Sequence, residues 1–300
     1  MSAIAQAFTR IRQEGRGGFI PYITAGDPNL AATYEILLAL GRAGATVIEL
    51  GFPFSDPMAD GPVIQRACAR ALKNRVTMAE VLDVAKQAKS KIDAPVVLFS
   101  YVNPVLQYGF ERLITSAKEN GIAGLLLTDL PADNAARLTA FARPRGVDLI
   151  TLAAPTCSDE RLKTICAHAG GFIYAVSRTG VTGTRQQLSA DARVLVERIR
   201  RCTSLPVALG FGVSNREQAK EVLTFADAVV VGSAIVQLIE TNSGRPAKEL
   251  PPQQTQIRLP GAPELAASVE RLAREFAGAN AHVAADRAAA ISHLAVKETR

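Results

Sequence analysis

Two residues of this chain have the types and settings for acid–base chemistry: Glu49 and Asp60. Glu49 lies in Val47-Ile-Glu-Leu50, a short apolar run that reads as a strand with side chains alternating between faces. It falls on the same face as Val47. A carboxylate near the end of a buried strand is costly to desolvate, so it needs a partner or a chemical task. Asp60 follows on a loop stiffened by Pro53, Pro57 and Pro62, whose rings fix φ. One buried and one loop-borne carboxylate suit separate acid and base roles in proton transfer. Each also has a plainer reading. An ion pair with a neighbouring Arg or Lys would account for Glu49 alone. The turn favoured by Asp-Gly would account for Asp60 alone. The pair in one continuous segment favours the catalytic reading.

Other chemistries are disfavoured by where their residues fall. A Schiff-base aldolase needs a lysine near the inner end of a strand, and every lysine here lies in a helical or tail segment. His168, His282 and His293 are scattered without metal-ligand spacing, and none ends an expected strand. That argues against a metal-dependent aldolase and a Ser-His triad. Cys68, Cys157, Cys166 and Cys202 form no C-x-x-C pair and read as reduced, packed thiols. Three glycine-bearing strand ends suit an anion: Ser177-Arg-Thr-Gly-Val-Thr-Gly183, Gly210-Phe-Gly-Val-Ser214 and Val231-Gly-Ser-Ala-Ile235. Glycine lets the backbone approach a ligand, and the last segment opens a short helix whose N–H groups, with Ser233, would cradle phosphate. Taken singly, each glycine reads as a tight turn. Taken together, these residues point to carboxylate acid–base work on a phosphorylated substrate.

Short apolar runs must position them. These are Phe19–Thr24, Thr46–Leu50, Val96–Tyr101, Gly124–Thr128, Val147–Leu152, Phe172–Ser177, Val207–Gly210 and Ala228–Val231. Helical patterns separate them near Ala31–Ala43, Met78–Ser90, Phe110–Asn120, Asn134–Arg143, Asp159–His168, Asp191–Arg201 and Arg216–Leu223. Continuously apolar strands are what a parallel sheet covered on both faces requires. The alternation predicts an α/β fold, a (β/α)8 TIM barrel in one domain over residues 1–276. A doubly wound open sheet is the runner-up, weakened by the lack of G-x-G-x-x-G after the first strand. Thr241–Pro263 reads as a Pro-rich loop or insertion, Glu264–Phe276 as the last barrel helix, and 277–300 as a helical or frayed C-terminal tail.

Composition narrows the partners. The chain has 300 residues, 48% of them hydrophobic, which supports a buried core. Its net charge of 34 − 28 = +6 is dispersed, Trp is absent and aromatics are 5%, so a nucleic-acid role is not expected. The charge is a weak pointer to acidic small molecules. No stretch reaches the roughly 18 apolar residues of a membrane span, and the first residues lack a secretory core, so a cytoplasmic protein is expected.

The segment from Glu49-Leu-Gly-Phe-Pro-Phe-Ser-Asp-Pro-Met-Ala-Asp60 to Gln65 closely resembles the signature of the tryptophan synthase α-subunit family. The resemblance extends to Phe19–Pro28, Tyr101-Val-Asn-Pro104, Asp129-Leu-Pro131 and the glycine segments above, in one register from Phe19 to Glu240. It implies retro-aldol cleavage of indole-3-glycerol phosphate to indole and glyceraldehyde 3-phosphate, with no cofactor. By this resemblance Glu49 is the general acid/base and Asp60 serves the indole N–H. Tyr174 matches a pocket tyrosine. Thr182, on a mobile lid spanning Arg178–Leu188, approaches the catalytic Asp on closure. Gly183, Gly212, Gly232 and Ser233 match phosphate-binding positions. Tyr22, Phe99, Leu126 and Phe211 match the walls of the indole site. Phe99 is bulkier than the small aliphatic residue expected there. The resemblance also implies a β subunit in an α2β2 heterotetramer, with pyridoxal phosphate only in that partner. Loops at Pro53–Asp56, Tyr101–Pro104 and Asp129–Pro131 resemble the surfaces that face it. Two alternatives share the motif: a free-standing lyase that releases indole, and a non-catalytic paralogue, which intact Glu49 and Asp60 argue against.

Overall fold

The apolar runs become eight parallel strands: β1 (Gly18–Thr24), β2 (Ile48–Gly51), β3 (Val96–Ser100), β4 (Ile122–Leu127), β5 (Asp148–Ala153), β6 (Ile173–Val176), β7 (Val207–Gly210) and β8 (Ala228–Val231). Each pairs with the next, and β1 closes on β8 with Phe19 opposite Val229. Closure leaves no unpaired sheet edge. The computed structural model of the protein describes residues 1–176, 185–210, 212–243 and 262–280, with backbone alone at 185–189 and 280.

Among the described residues the helices are α1 (Ala3–Gln13), ahead of β1, then α2 (Leu30–Arg42), α3 (Pro62–Lys73), α4 (Met78–Ala88), α5 (Val102–Tyr108), α6 (Phe110–Ala117), α7 (Ala132–Ala142), α8 (Asp159–His168), α9 (Arg185–Arg200) and α10 (Arg216–Leu223) between strands, and α11 (Ser233–Ser243) and α12 (Ala262–Ala277) after β8. Side-chain caps fix several starts. Asn29 accepts from Ala32 N, Asn215 accepts from Gln218 N, and Thr77 with Glu80 forms a reciprocal capping box. Of these helices, α1, α3 and α5 were not anticipated. The first carries buried Ile4, Phe8 and Ile11 at helical spacing, and the second begins with Pro62 in its first turn, where a missing N–H costs nothing.

Two apolar cores follow from the alternation of side chains along the strands. Outward residues such as Phe19, Ile23 and Leu50 pack under the helices. Phe19 stacks on Phe276 of α12, with ring centroids 6.1 Å apart. Inward residues Ile20, Val47, Val97, Leu126, Ile150 and Phe172 fill the barrel. From below, α1 inserts Ile4, Phe8 and Ile11 into this interior, Phe8 lying 5.8 Å from Phe172 between centroids. The barrel is therefore plugged at the N-terminal ends of its strands. Function is left to the C-terminal ends, as in barrels generally.

A charged brace ties three elements at that functional end. Arg70 of α3 donates to both oxygens of Asp27 at 2.8 and 2.7 Å and to Glu240 of α11 at 2.7 Å. Arg66 donates to the same Glu240. Asp27 is 1% exposed, so its carboxylate depends on this bidentate partner. The brace holds the helix that follows Asp60 against the helix that begins at Ser233. Arg70→Met should destabilise the fold by about 2–3 kcal/mol, because it strands a buried carboxyl group. Urea unfolding of the two proteins checks this.

Candidate active site

Strand alternation puts Tyr22, Glu49, Phe99, Leu152 and Tyr174 inside the barrel, above the plug. In the ladder Tyr22 lies opposite Glu49, Glu49 opposite Val97, and Leu152 opposite Tyr174. Over them opens a cavity of about 480 Å³. Glu49 and Asp60 both line it. So do Tyr22, Phe99, Tyr174, Gly212, Gly232 and Ser233, joined by Ile64, Thr128, Leu152, Val176 and Val230. Leu126 packs one layer lower, fully buried in the barrel interior and opposite Phe99 in the ladder, without bordering the cavity. Thr182, Gly183 and Phe211 lie outside the described residues.

Glu49 is fully buried, and among the described residues neither carboxyl oxygen has a hydrogen-bond partner, nor is there the ion pair that would explain it structurally. Burial alone pushes its carboxyl up to about 8 from 4.5. Asp60, on the loop into α3, is half-buried. Desolvation raises it to about 6, opposed by a hydrogen bond that Tyr101 Oη donates to its Oδ2 at 2.9 Å. Near neutral pH the first group is mostly a protonated acid and the second mostly a carboxylate. The two environments thus separate the roles, as in other paired-carboxyl sites.

The two phenols that share the cavity with Glu49 are each fixed by a glycine on a neighbouring strand. A Cβ on Gly51 would lie 2.2 Å from Tyr22 Oη, and one on Gly210 would lie 2.1 Å from Tyr174 Oη. Each glycine is the space into which the adjacent ring leans. Burial keeps both phenols protonated, so they can donate but not compete as bases. Phe99 stands edge-on to Tyr22, with centroids 5.1 Å apart, and closes one side of an aromatic-lined wall. The cavity is also lined by Gly212, at φ +75, and by Gly232 and Ser233 at the start of α11, Gly232 lying beside the base of Tyr22. Backbone N–H groups at a helix start suit a bound anion. The site can therefore take a flat aromatic group against its rings and a phosphate at its glycine-bearing lining, with an acid and a base in the same cavity.

Tyr101 is the functional residue that residue-by-residue reading passed over. It was legible only as part of a surface motif, because its bond to Asp60 joins two loops 41 positions apart.

The family model described as "Tryptophan synthase alpha chain" matches residues 8–261. The tryptophan synthase alpha chain of Synechococcus elongatus is 48% identical over 241 residues, spanning 80% of this chain and 91% of its own. That of Solibacter usitatus is 46% identical over 250 residues, 83% of this chain and 94% of its own. Among solved structures, the alpha subunit from Legionella pneumophila superposes with a TM-score of 0.80 at 32% identity, covering 93% of this chain and 98% of that one. Tryptophan synthase from M. tuberculosis in an aminoacrylate-bound form gives 0.77 at 31% identity, covering 93% and 99%.

The burial of Glu49 has a signed consequence for stability. The folded state holds its proton up to about pH 8, whereas the unfolded chain releases it near 4.5. The penalty is absent below about pH 4.5, grows as pH rises through that window, and is complete above about pH 8. Glu49→Gln should therefore stabilise the protein at pH 8.5 by on the order of 3 kcal/mol, with little effect at pH 4. Denaturant titrations at the two pH values read it. Gly51→Ala should leave the protein folded but force the Tyr22 ring into the cavity, lowering turnover by at least about 10-fold. Steady-state kinetics with a parallel circular dichroism spectrum checks this.

Proposed function

The chain belongs to the tryptophan synthase alpha chain family, and from that premise we propose that Glu49 and Asp60 carry out its carbon–carbon bond cleavage. The protein is a lyase that splits indole-3-glycerol phosphate into indole and glyceraldehyde 3-phosphate, in partnership with a β subunit that makes tryptophan. The observation that carries the assignment of roles is the fully buried, unpartnered carboxyl of Glu49 facing a cavity that Asp60 also lines.

The chemistry follows from the two protonation states. Neutral Glu49 gives its proton to C3 of the indole ring. Positive charge then develops toward the ring nitrogen, where the Asp60 carboxylate accepts the N–H and offsets it. Glu49, now an anion in an apolar setting, is strongly basic. It takes the proton from the glycerol hydroxyl next to the ring. The bond between the ring and that carbon breaks, its electron pair returns to the ring, and the carbon becomes the aldehyde. Glu49 ends protonated, so no net proton is consumed. Because these transfers balance atoms and electrons, we assign no cofactor to this chain; pyridoxal phosphate belongs to the partner.

Remaining contacts follow the cavity. Tyr22, Phe99 and Tyr174 hold the indole, with Leu126 supporting Phe99 from below. Gly212, Gly232 and Ser233 hold the phosphate. Phe211, Thr182 and Gly183, which lie outside the described residues, are assigned to indole, Asp60 and phosphate respectively by the family resemblance alone. The lyase unit is residues 1–276, supported by the Phe19–Phe276 stack and by the Arg42–Glu270 ion pair at 2.9 Å that docks α12 on α2. Ala277 closes α12 and Gly278–Asn280 add a short 3-10 turn, while residues 281–300, assigned from the sequence to a C-terminal tail, lie outside the described residues. Among the described residues no helix is long and apolar enough to cross a membrane, which supports a cytoplasmic site of action.

Glu49→Gln and Asp60→Asn should each lower turnover by about 10²–10⁴-fold while leaving the fold intact. For the unmodified protein, kcat/KM should be bell-shaped, rising with Asp60 ionisation near pH 6 and falling with loss of the Glu49 proton near pH 8. Indole release from indole-3-glycerol phosphate, with and without a β subunit, reads all three. Slow release that rises strongly with β supports the assignment. Fast release without β indicates a free-standing lyase, and none in either condition contradicts it.

A further inference from the structure

Among the described residues the Asp60 carboxylate has one side-chain hydrogen-bond partner, and it comes from a different loop. Tyr101 Oη donates to Asp60 Oδ2 at 2.9 Å and accepts from the Ala59 N–H at 3.0 Å. With its one proton committed to the carboxylate, the hydroxyl meets both the side chain of Asp60 and the backbone beside it. Tyr101 is itself held. It is 5% exposed, its ring packs on Phe54 with centroids 5.1 Å apart, and the Val102 N–H that follows donates to Asp129 Oδ1 at 2.8 Å. Three loops, after β2, β3 and β4, therefore meet at Tyr101 and the Val102 that follows it.

We propose that Tyr101 is the positioning residue for Asp60, fixing the carboxylate at the cavity rim and holding it in its ionised form. This rests on the role given to Asp60 above and deepens it. The groups facing Asp60 from the surrounding elements are Tyr22 on β1, Glu49 on β2, Cys68 on α3, Tyr174 on β6 and Tyr101 itself. Burial raises Cys68 to about 11, Glu49 to about 8 and the phenols above their usual value, so around pH 7 these neighbours are mainly neutral. Among the described residues, Tyr101 is thus the group that favours the charged form of Asp60, against the desolvation that opposes it. A phenol donating to a carboxylate makes a strong, directional bond. It leaves the second oxygen of Asp60 for a substrate N–H, and the bond to Ala59 fixes the angle from which it is offered.

Tyr101→Phe removes the hydroxyl and keeps the ring against Phe54. The expected results are an acid limb of kcat/KM moved up by about one pH unit, a turnover at pH 6 lowered at least about 10-fold with partial recovery by pH 8, and little change in KM. A carbon-13 titration of Asp60 in both proteins, assigned with Asp60→Asn, reads the same shift without any assay of activity. A limb and a carbon-13 midpoint that stay within about 0.2 pH unit of the unmodified protein overturn the proposal. If the unmodified protein does not cleave indole-3-glycerol phosphate, the reading of function fails, and the carbon-13 titration still decides the role of Tyr101. An unfolded Tyr101→Phe protein, recognised by circular dichroism, would assign the hydroxyl a structural role and also overturn it.

Discussion

Removing a carboxyl group from water without giving it a partner is the constraint on which this structure turns. Among the described residues Glu49 has no cation, hydroxyl or N–H within hydrogen-bonding distance, and it is fully buried. Desolvation is then the whole of its electrostatics, and the neutral form wins at pH 7. A buried carboxyl group is tolerated in this state because it carries no charge. The same setting makes its conjugate base strong once the proton has been given away. One environment therefore supports both halves of a proton shuttle.

Much of the barrel can be read as the means of keeping that environment dry on three sides and open on one. The helix at the N-terminus plugs the interior from below with Ile4, Phe8 and Ile11. Tyr22 and Tyr174 line the same cavity as Glu49 and occupy the space that Gly51 and Gly210 leave free. The charged brace of Asp27, Arg70, Glu240 and Arg66 fastens the helix after Asp60 to the helix that begins at the cavity-lining Ser233. Asp60 differs from Glu49 because it sits on a loop at the rim, where Tyr101 reaches it. The separation of acid from base is thus a consequence of depth in the barrel.

Strands were legible because parallel sheets bury both faces, so each reads as a continuous apolar run; all eight fall within a few residues of the expected positions. Glu49 and Asp60 were legible as a pair because one interrupts such a run and the other follows on a proline-stiffened loop. Helix α3 was hidden by its Pro-Gly-rich approach, which drew attention to the loop and away from Pro62 as a first-turn residue. Helix α1 was passed over although Ile4, Phe8 and Ile11 repeat at helical spacing. What one position at a time could not reveal is pairwise: the phenols resting over glycines on adjacent strands, and the reach of Tyr101 to Asp60. Those contacts depend on strand register and loop direction, which short windows do not encode. The bulk of Phe99, noted from the sequence, finds its counterpart in an edge-on contact with Tyr22 that sets one wall of the cavity.

The central claim is that the buried carboxyl of Glu49 is neutral at pH 7. Isotope-edited infrared difference spectroscopy, with Glu49→Gln as the reference, observes the protonated carboxyl band directly. The account predicts a band present at pH 7 that titrates away with a midpoint near 8. Its absence at pH 7, with an ionised group titrating near the ordinary 4.5, would contradict the account.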